Sequence, residues 1–513
     1  MTNKTTNLGT ACLRPNKKND QMATASTPLD EDKKTPTVAY DQQSATEDAT
    51  KSPNIITEFS TPPPGHRIFG LHLPAYRSPI FQTLLVSLVQ LLVVGIFNVL
   101  SALGGGGQVN PQTGNNAATI LYSLFAAFSL LAGSVTNYLG PKWTLATGGV
   151  GYSLLAASFW CYNHTQNRGF VYFGGATCGI SAAFLWTAAG SLVMSLPLEK
   201  DKGRYISIFY GFQFVGSVVG AIIPTVENWS VTTAGTVNDG TYIALFILMF
   251  SGSVVALFVA NPKTIIRNDG SRVQVPRETT FVQELKNVVI AVQKEPLIFL
   301  FFPFSFAGLW YIPYQSNDFN AYFFDLRTRG FAGLWYNFGQ LCMSIMMGLS
   351  LDLKYFRRRT RAFINWTFLF VFLNAVLIGG IWPVRDSHRG VPPAKLLSVG
   401  QSKASGYIAL LTFYGCIDGA WQTFAWWIMG ALSNDPVVLS IYSSFYKVFG
   451  ATGCAIVFSL DNHGTPYTAM FGSYWGLLSG SMLLVLYLIH KRIGDTSEEQ
   501  AVTLQTMKPK EAD

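Results

Sequence analysis

The sequence predicts an all-α membrane protein whose twelve transmembrane helices form two six-helix pseudo-repeats. Three observations predict it. Of 513 residues, 49% are hydrophobic and only 12% charged, about half the charge of an ordinary soluble domain. Whole stretches carry no Asp, Glu, Lys or Arg: Arg77 to Lys142, Arg168 to Glu199, Arg329 to Asp352, Arg361 to Arg385 and Asp461 to Lys491. One long polar connection, 261–295, divides the apolar runs six and six. A water-exposed helix needs a polar face, whereas crossing ~30 Å of hydrocarbon needs about 20 mostly apolar residues. Helices satisfy every backbone group internally, so they fit such runs. A membrane β-barrel would show short alternating segments instead.

The elements follow in chain order. Residues 1–75 read as a disordered cytosolic tail, rich in Thr, Ser, Asn, Asp and Lys and too polar to bury a core. This tail lacks the apolar run of a cleavable signal peptide, so the first span is expected to act as an uncleaved anchor. Spans are expected near 79–101, 117–138, 143–163, 169–196, 204–226 and 241–260, making an N-terminal bundle over 76–262. A cytosolic linker, 263–294, follows. Within it Thr280 and Gln283 resemble a capping box, and Phe281, Val282, Leu285, Val288, Val289 and Val292 recur at helical spacing. That pattern suits an amphipathic helix lying on the membrane face. The second bundle, 295–492, holds spans near 296–317, 330–351, 362–382, 406–430, 437–459 and 467–490, and 493–513 is a second cytosolic tail.

Lys and Arg set the orientation. With the N-terminus inside, internal loops hold fifteen of them and external loops seven. The positive-inside rule then places both tails in the cytosol, at the plasma membrane or an endomembrane. Two glycosylation sequons, Asn163-His-Thr and Asn228-Trp-Ser, fall in external loops, and Asn228 stands farther from the membrane. The net charge of +8 therefore reads as topology signal rather than nucleic-acid affinity.

Six plus six spans invite a search for duplication. After the second span comes Gly133-Ser-Val-Thr-Asn137-Tyr-Leu-Gly-Pro-Lys142; after the eighth comes Gly348-Leu-Ser-Leu-Asp352, then Arg357-Arg358-Arg359. Ser207-Ile-Phe-Tyr-Gly211 in the fifth span is matched by Ser443-Ser-Phe-Tyr-Lys447 in the eleventh. These loops resemble the signature loop of the major facilitator superfamily, in which an acidic residue caps one helix and pairs with a base. The second copy fits well; the first carries Asn137 where the pattern has Asp. Asn137-Tyr-Leu-Gly-Pro-Lys142, together with Gly211-Phe-Gln-Phe-Val-Gly216 and Phe324-Asp-Leu-Arg-Thr-Arg329, resembles the fungal Unc-93-like branch over roughly residues 75–490. The resemblance implies a twelve-helix facilitator fold, with members ranging from transporters to regulators of other membrane proteins. It also implies that the first, fourth, seventh and tenth spans line a cavity, and that Asn137, Lys142, Asp352, Arg357, Arg358 and Arg359 form a conformational latch.

Lys447 in the eleventh span and Asp418 in the tenth are intramembrane charges, which cost about 3 kcal/mol each on insertion scales. Either they line the cavity, paired or touching substrate, or they form a structural ion pair. Lys447 stands opposite uncharged Gly211 in the repeat, which favours anionic or electron-rich solutes. Gln90 and Asn98 share a face of the first span, and Gln213 lies in the fifth; they contact substrate or bond between helices. Trp186, Trp310, Tyr311, Trp421, Gln422, Trp426 and Trp427 offer an aromatic lining or interface anchors. Gly216 and Gly220 mark close helix packing or a rocking interface. Asp318, Asp325, Arg327 and Arg329 form either an outer gate or a solvated loop.

Six scattered Cys without CxxC spacing indicate neither a disulfide framework nor a metal site. No HExxH, GxSxG, P-loop or GxGxxG occurs, so no enzyme, cofactor or metal is expected. The expected function is transport of a small organic solute by alternating access, with efflux as one version. The alternative is a non-transporting regulator or trafficking partner of another membrane protein. The expected partners are the lipid bilayer, a solute and such a membrane protein.

Overall fold

A computed structural model describes residues 66–68, 71–108, 111–198, 202–267, 269–271, 273, 286, 293, 299–353, 355–432 and 436–494. The capping box at Thr280, every apolar position named for the amphipathic helix and most of both tails lie outside these residues. Inside the expected N-terminal tail, His66–Ile68 (β1) pairs antiparallel with Leu71–Leu73 (β2), so order reaches further back than composition suggested.

The rest is helical. The first half comprises α1 (Pro79–Ala102), α2 (Pro111–Ser129), α3 (Ala132–Leu139), α4 (Pro141–Thr165), α5 (Arg168–Ser195), α6 (Lys202–Glu227) and α7 (Asp239–Ala256). The second comprises α8 (Phe302–Ala307), the π-helical α9 (Tyr314–Ala321), α10 (Leu326–Leu351), α11 (Arg358–Arg385), α12 (Ser402–Leu432), α13 (Pro436–Asn462) and α14 (Tyr467–Arg492). Among the described residues, seven helices are long and apolar enough to cross a membrane, and eight if the bent pair α2–α3 is one span. The chain is therefore an integral multi-pass membrane protein.

Local chemistry sets the boundaries. Ser78, Asn167 and Asp325 accept N–H bonds at the starts of α1, α5 and α10, the usual role of such side chains. Pro79 and Pro141 occupy first turns, where a missing N–H costs nothing. Span two bends by 69° between α2 and α3. The expected seventh span is broken: Pro313 cannot donate to the helical ladder, and the backbone continues as the π-helical α9. A second π-helical turn, Leu91–Gly95, interrupts α1. Such turns concentrate at functional sites.

Two hydrophobic cores result. One gathers buried residues from Val86 to Val273 and borrows Ala451, Cys454, Ala455 and Phe458 from α13. The other runs from Phe301 to Ile493. Within each, helix pairs meet backbone to backbone at glycine. A Cβ on Gly175 or Gly179 of α5 would lie 2.6 or 2.3 Å from carbonyls of α2. A Cβ on Gly415 or Gly419 of α12 would lie 2.1 Å from the carbonyls of Tyr336 and Gln340 in α10. Gly216 meets Leu91 of α1 in the same way, and Gly453 meets Phe306 of α8. Lipid tails supply no hydrophobic drive between helices, so close approach of small residues carries the packing. Gly216 and Gly220 both face α1, inside the first core, which settles them as close packing rather than a sliding surface. Between the cores, α6 packs on α10 and α2 on α13.

Replacing Gly415 by Val should destabilise the purified protein by about 1–3 kcal/mol, the range for overpacking a full site. Thermal unfolding in detergent reads this as a lowered midpoint. Gly472→Val, where a Cβ meets nothing within 4 Å, should leave the midpoint in place.

Candidate functional site

A cavity of about 140 Å³ lies between the two cores. The first half lines it with Asn98, Tyr122, Trp186, Tyr210 and Gln213; the second with Tyr311, Gln315, Tyr336, Gln340, Gln422 and Lys447. The broken span seven matters here. Its π-helical turn brings Gln315, Ser316 and Asn320, one and five residues apart, to the cavity on one face, because i and i+5 are neighbours in a π-helix.

Of the residues singled out in the sequence, Lys447, Asn98, Gln213, Trp186, Tyr311 and Gln422 stand on the wall. Gln90, Asp418, Trp421 and Trp310 stand behind it. Gln90 donates to Gln213 Oε1 at 3.0 Å and so orients a lining amide. Asp418 is fully buried; its carboxylate accepts from Tyr336 Oη at 2.5 Å and Gln315 Nε2 at 3.5 Å. It holds two lining side chains and forms no ion pair with Lys447. Trp421 stacks on Phe304, ring centroids 3.9 Å apart, and Trp310 donates to Ser473 at 3.0 Å. The Lys447 ammonium instead lies 3.5 Å from the centroid of Trp186 and 5.5 Å from that of Trp426. Tyr210 of α6 packs on Trp426 of α12 at 5.1 Å, beside Lys447.

One end of the cavity is roofed by a polar clasp that the sequence reading treated only as a loop or gate. Gly104 to Gly107 all adopt positive φ, +52° to +83°, a conformation natural only to glycine. The turned backbone offers its carbonyls to Arg329, whose guanidinium donates to Leu103 and Gly104. Asn320 donates to Ala102 at 2.9 Å. Asn317 accepts from Gly105 N–H at 2.7 Å and donates to Asn115 at 2.7 Å and Asp461 at 2.8 Å. Asn115 donates to Asp461 at 2.7 Å. Arg389 then ties Asp461 (2.5 Å) to Asp318 (3.3 Å) and rests over Tyr467. Burial works against the Arg389 charge, but Asp318 and Asp461 outweigh it and lift its pKa above the ordinary arginine value. Asp318, Asp325 and Arg329 are buried to 5% exposure or less, so the solvated-loop expectation is corrected. The signals existed in the sequence: a run of four glycines facing an Asn-Asp-rich span end. They carried no motif, and Arg389 and Asp461 counted only as loop charge.

At the opposite end, basic side chains cap helix C-termini, as the helix dipole favours. Arg358 donates to Gly430 at the end of α12, Arg359 to His490 at the end of α14, and Arg361 to Leu351 at the end of α10. In the first half Arg267 does the same for Ser195, the last residue of α5. Asp352 is exposed at the C-cap of α10 and Arg357 is exposed beyond it. Asn137, near the end of α3, and Lys142, in the first turn of α4, lie on either side of Gly140 and are half-buried.

A family model described as ion channel regulatory protein UNC-93 matches residues 105–483. The chain belongs to the UNC-93 family. An UNC93-like protein of Schizosaccharomyces pombe is 40% identical over 83% of this chain and 84% of its own. UNC93-like protein 1 of Arabidopsis thaliana is 33% identical over 83% of this chain and 93% of its own. Among solved structures, a D-xylose-proton symporter matches with a TM-score of 0.56 at 13% identity, covering 82% of this chain and 99% of that one. At that identity the likeness shows the facilitator fold alone. The Unc-93-like resemblance read from Asn137 to Lys142 is thus established.

The structure engages the amide of each sequon asparagine. Asn228 is 1% exposed; its amide donates to Pro224 at 2.9 Å and Thr241 at 3.1 Å, and its oxygen accepts from Asn238. Asn163 donates to Asp239 at 3.0 Å and accepts from Gln108 at 2.8 Å. Both amides are engaged, Asn228 within its own turn and Asn163 between α4 and the start of α7. Treatment with peptide-N-glycosidase should leave the mobility of the protein unchanged. A shift that vanishes in Asn228→Gln would contradict this packing.

Proposed function

We propose that this chain is a twelve-span facilitator that moves a small organic solute by alternating access, the two halves rocking about the central cavity. The observation that carries the proposal is the position of that cavity. It lies between two separately built cores, and both supply its wall. A solute bound there touches both halves, so its binding energy can shift their relative position. Substrate sites at a repeat interface are the rule in facilitator-type carriers. The repeated glycine contacts, span two on four and span eight on ten, support two six-helix halves over 76–262 and 295–492. The excess of Lys and Arg at the end capped by Arg358 and Arg359 supports a cytosolic location for that end and both termini. The Arg389 clasp then closes the outer side.

Lys447, Trp186, Asn98 and Gln213 are the proposed solute contacts. Gln90 and Asp418 position their neighbours. The caps formed by Arg358 and Arg359, with Asp352, Arg357, Asn137 and Lys142 nearby, are proposed to set the inner ends of the helices. Export of organic molecules is one form this activity takes.

A second reading is favoured by the family description, which names regulation of an ion channel. In that reading the chain acts through its surface on a membrane partner, and the cavity is vestigial. Uptake and efflux of a mixed metabolite panel, followed by mass spectrometry in cells, separates the two. At matched surface levels, Lys447→Ala should lower flux of the transported solute at least tenfold. If no solute moves differently from empty cells, transport is wrong and the regulator reading stands.

A further inference from the structure

We infer that the cavity is an organic-anion site, with Lys447 binding the carboxylate of a small planar acid whose body lies against the aromatic wall. The inference rests on the reading of the cavity as a solute site. Among the residues lining the cavity, Lys447 is the only charged one. No Asp or Glu stands on the wall, and no ion pair or hydrogen bond to a described residue engages the Lys447 ammonium. Asp418, the carboxylate packed behind the wall, is committed to Tyr336 and Gln315.

An ammonium inside a membrane protein normally faces a paired anion or a water-filled path, because its desolvation is expensive. Here its company is the faces of Trp186 and Trp426 and the ring of Tyr446, at 3.5, 5.5 and 5.9 Å. Ring faces attract a cation, but by less than the desolvation they offset. They hold the charge in place without neutralising it, and a bound anion completes the balance.

The surroundings also choose the shape of that anion. Gln213 has its oxygen occupied by Gln90 at 3.0 Å, which leaves its N–H groups as donors at the wall. Tyr210 and Trp426 pack at 5.1 Å beside the ammonium, so a flat apolar body finds ring surface next to a carboxylate anchor. An amine in the same place would set a second cation against Lys447, and a neutral amide would leave the ammonium uncompensated. Trp186 and Lys447 belong to different halves, so one ligand of this kind joins both.

The test uses a matched triple with one ring and three head groups: benzoate, benzamide and benzylamine. Binding to the purified full chain in detergent is read by thermal shift and titration. Benzoate should bind at least tenfold more tightly than either analogue. Lys447→Met should remove that preference, Lys447→Arg should keep it, and Trp186→Leu should weaken benzoate in a protein that still unfolds cooperatively. Equal binding of benzamide or benzylamine, a benzoate preference that survives in Lys447→Met, or no benzoate binding at all overturns the inference. Uptake of labelled benzoate into proteoliposomes is measured alongside. Binding without uptake keeps the anion site and removes the transport reading. Uptake of neutral or cationic solutes without benzoate binding does the reverse.

Discussion

The clasp around Arg329, Asn317 and Arg389 is the interaction on which the rest of the structure depends. Two helical cores in a bilayer gain little from burying apolar surface against each other, since lipid does that equally well. Directional bonds must hold them in register. Arg329 reaches carbonyls freed by four left-handed glycines, and Asn317 and Asn115 share the Asp461 carboxylate across the divide. Hydrogen bonds to charged groups contribute roughly 1.5–3 kcal/mol each, yet each can be exchanged for water. An interface so built is strong when dry and releasable when wetted, as a gate requires.

Directly beneath the clasp the chemistry changes. Asn320 belongs to both places, donating to Ala102 while it faces the cavity. Below it the wall is amide and aromatic, and its one charge is Lys447. Gln90 and Asp418 serve this wall from behind, by fixing Gln213, Tyr336 and Gln315. Charge at the clasp is ion-paired at Arg389 and bonded to carbonyls at Arg329, whereas charge in the cavity is open, a division suited to a part that closes and a part that binds.

The helical architecture was legible because its cause is local in the chain: long charge-free runs can only be spans. The family resemblance was legible where the chain kept order, from Asn137 to Lys142. What escaped reading depends on distant pairs. Whether Asp418 meets Lys447 or Tyr336 turns on helix rotation, which composition does not encode. The burial of Asn228 was not legible, because a sequon records three residues and not the turn that engages its amide. Arg389 looked like loop charge because its partners, Asp318 and Asp461, lie roughly seventy residues away on either side. The break in span seven had a visible cause in Pro313, but not its consequence, the π-helical turn that aims Gln315 and Asn320 inward.

The central claim is that the clasp holds one end shut while the halves pivot about the cavity. Spin labels would be placed on Arg168→Cys and Val391→Cys at the clasped end, and on Trp143→Cys and Tyr355→Cys at the other, in a background without native cysteines. Pulsed dipolar spectroscopy in proteoliposomes would compare the native clasp with Arg329→Met. Loosening the clasp should lengthen the first distance and shorten the second. Two distances that stay fixed, or that lengthen together, would contradict a pivot and leave the halves as one rigid body.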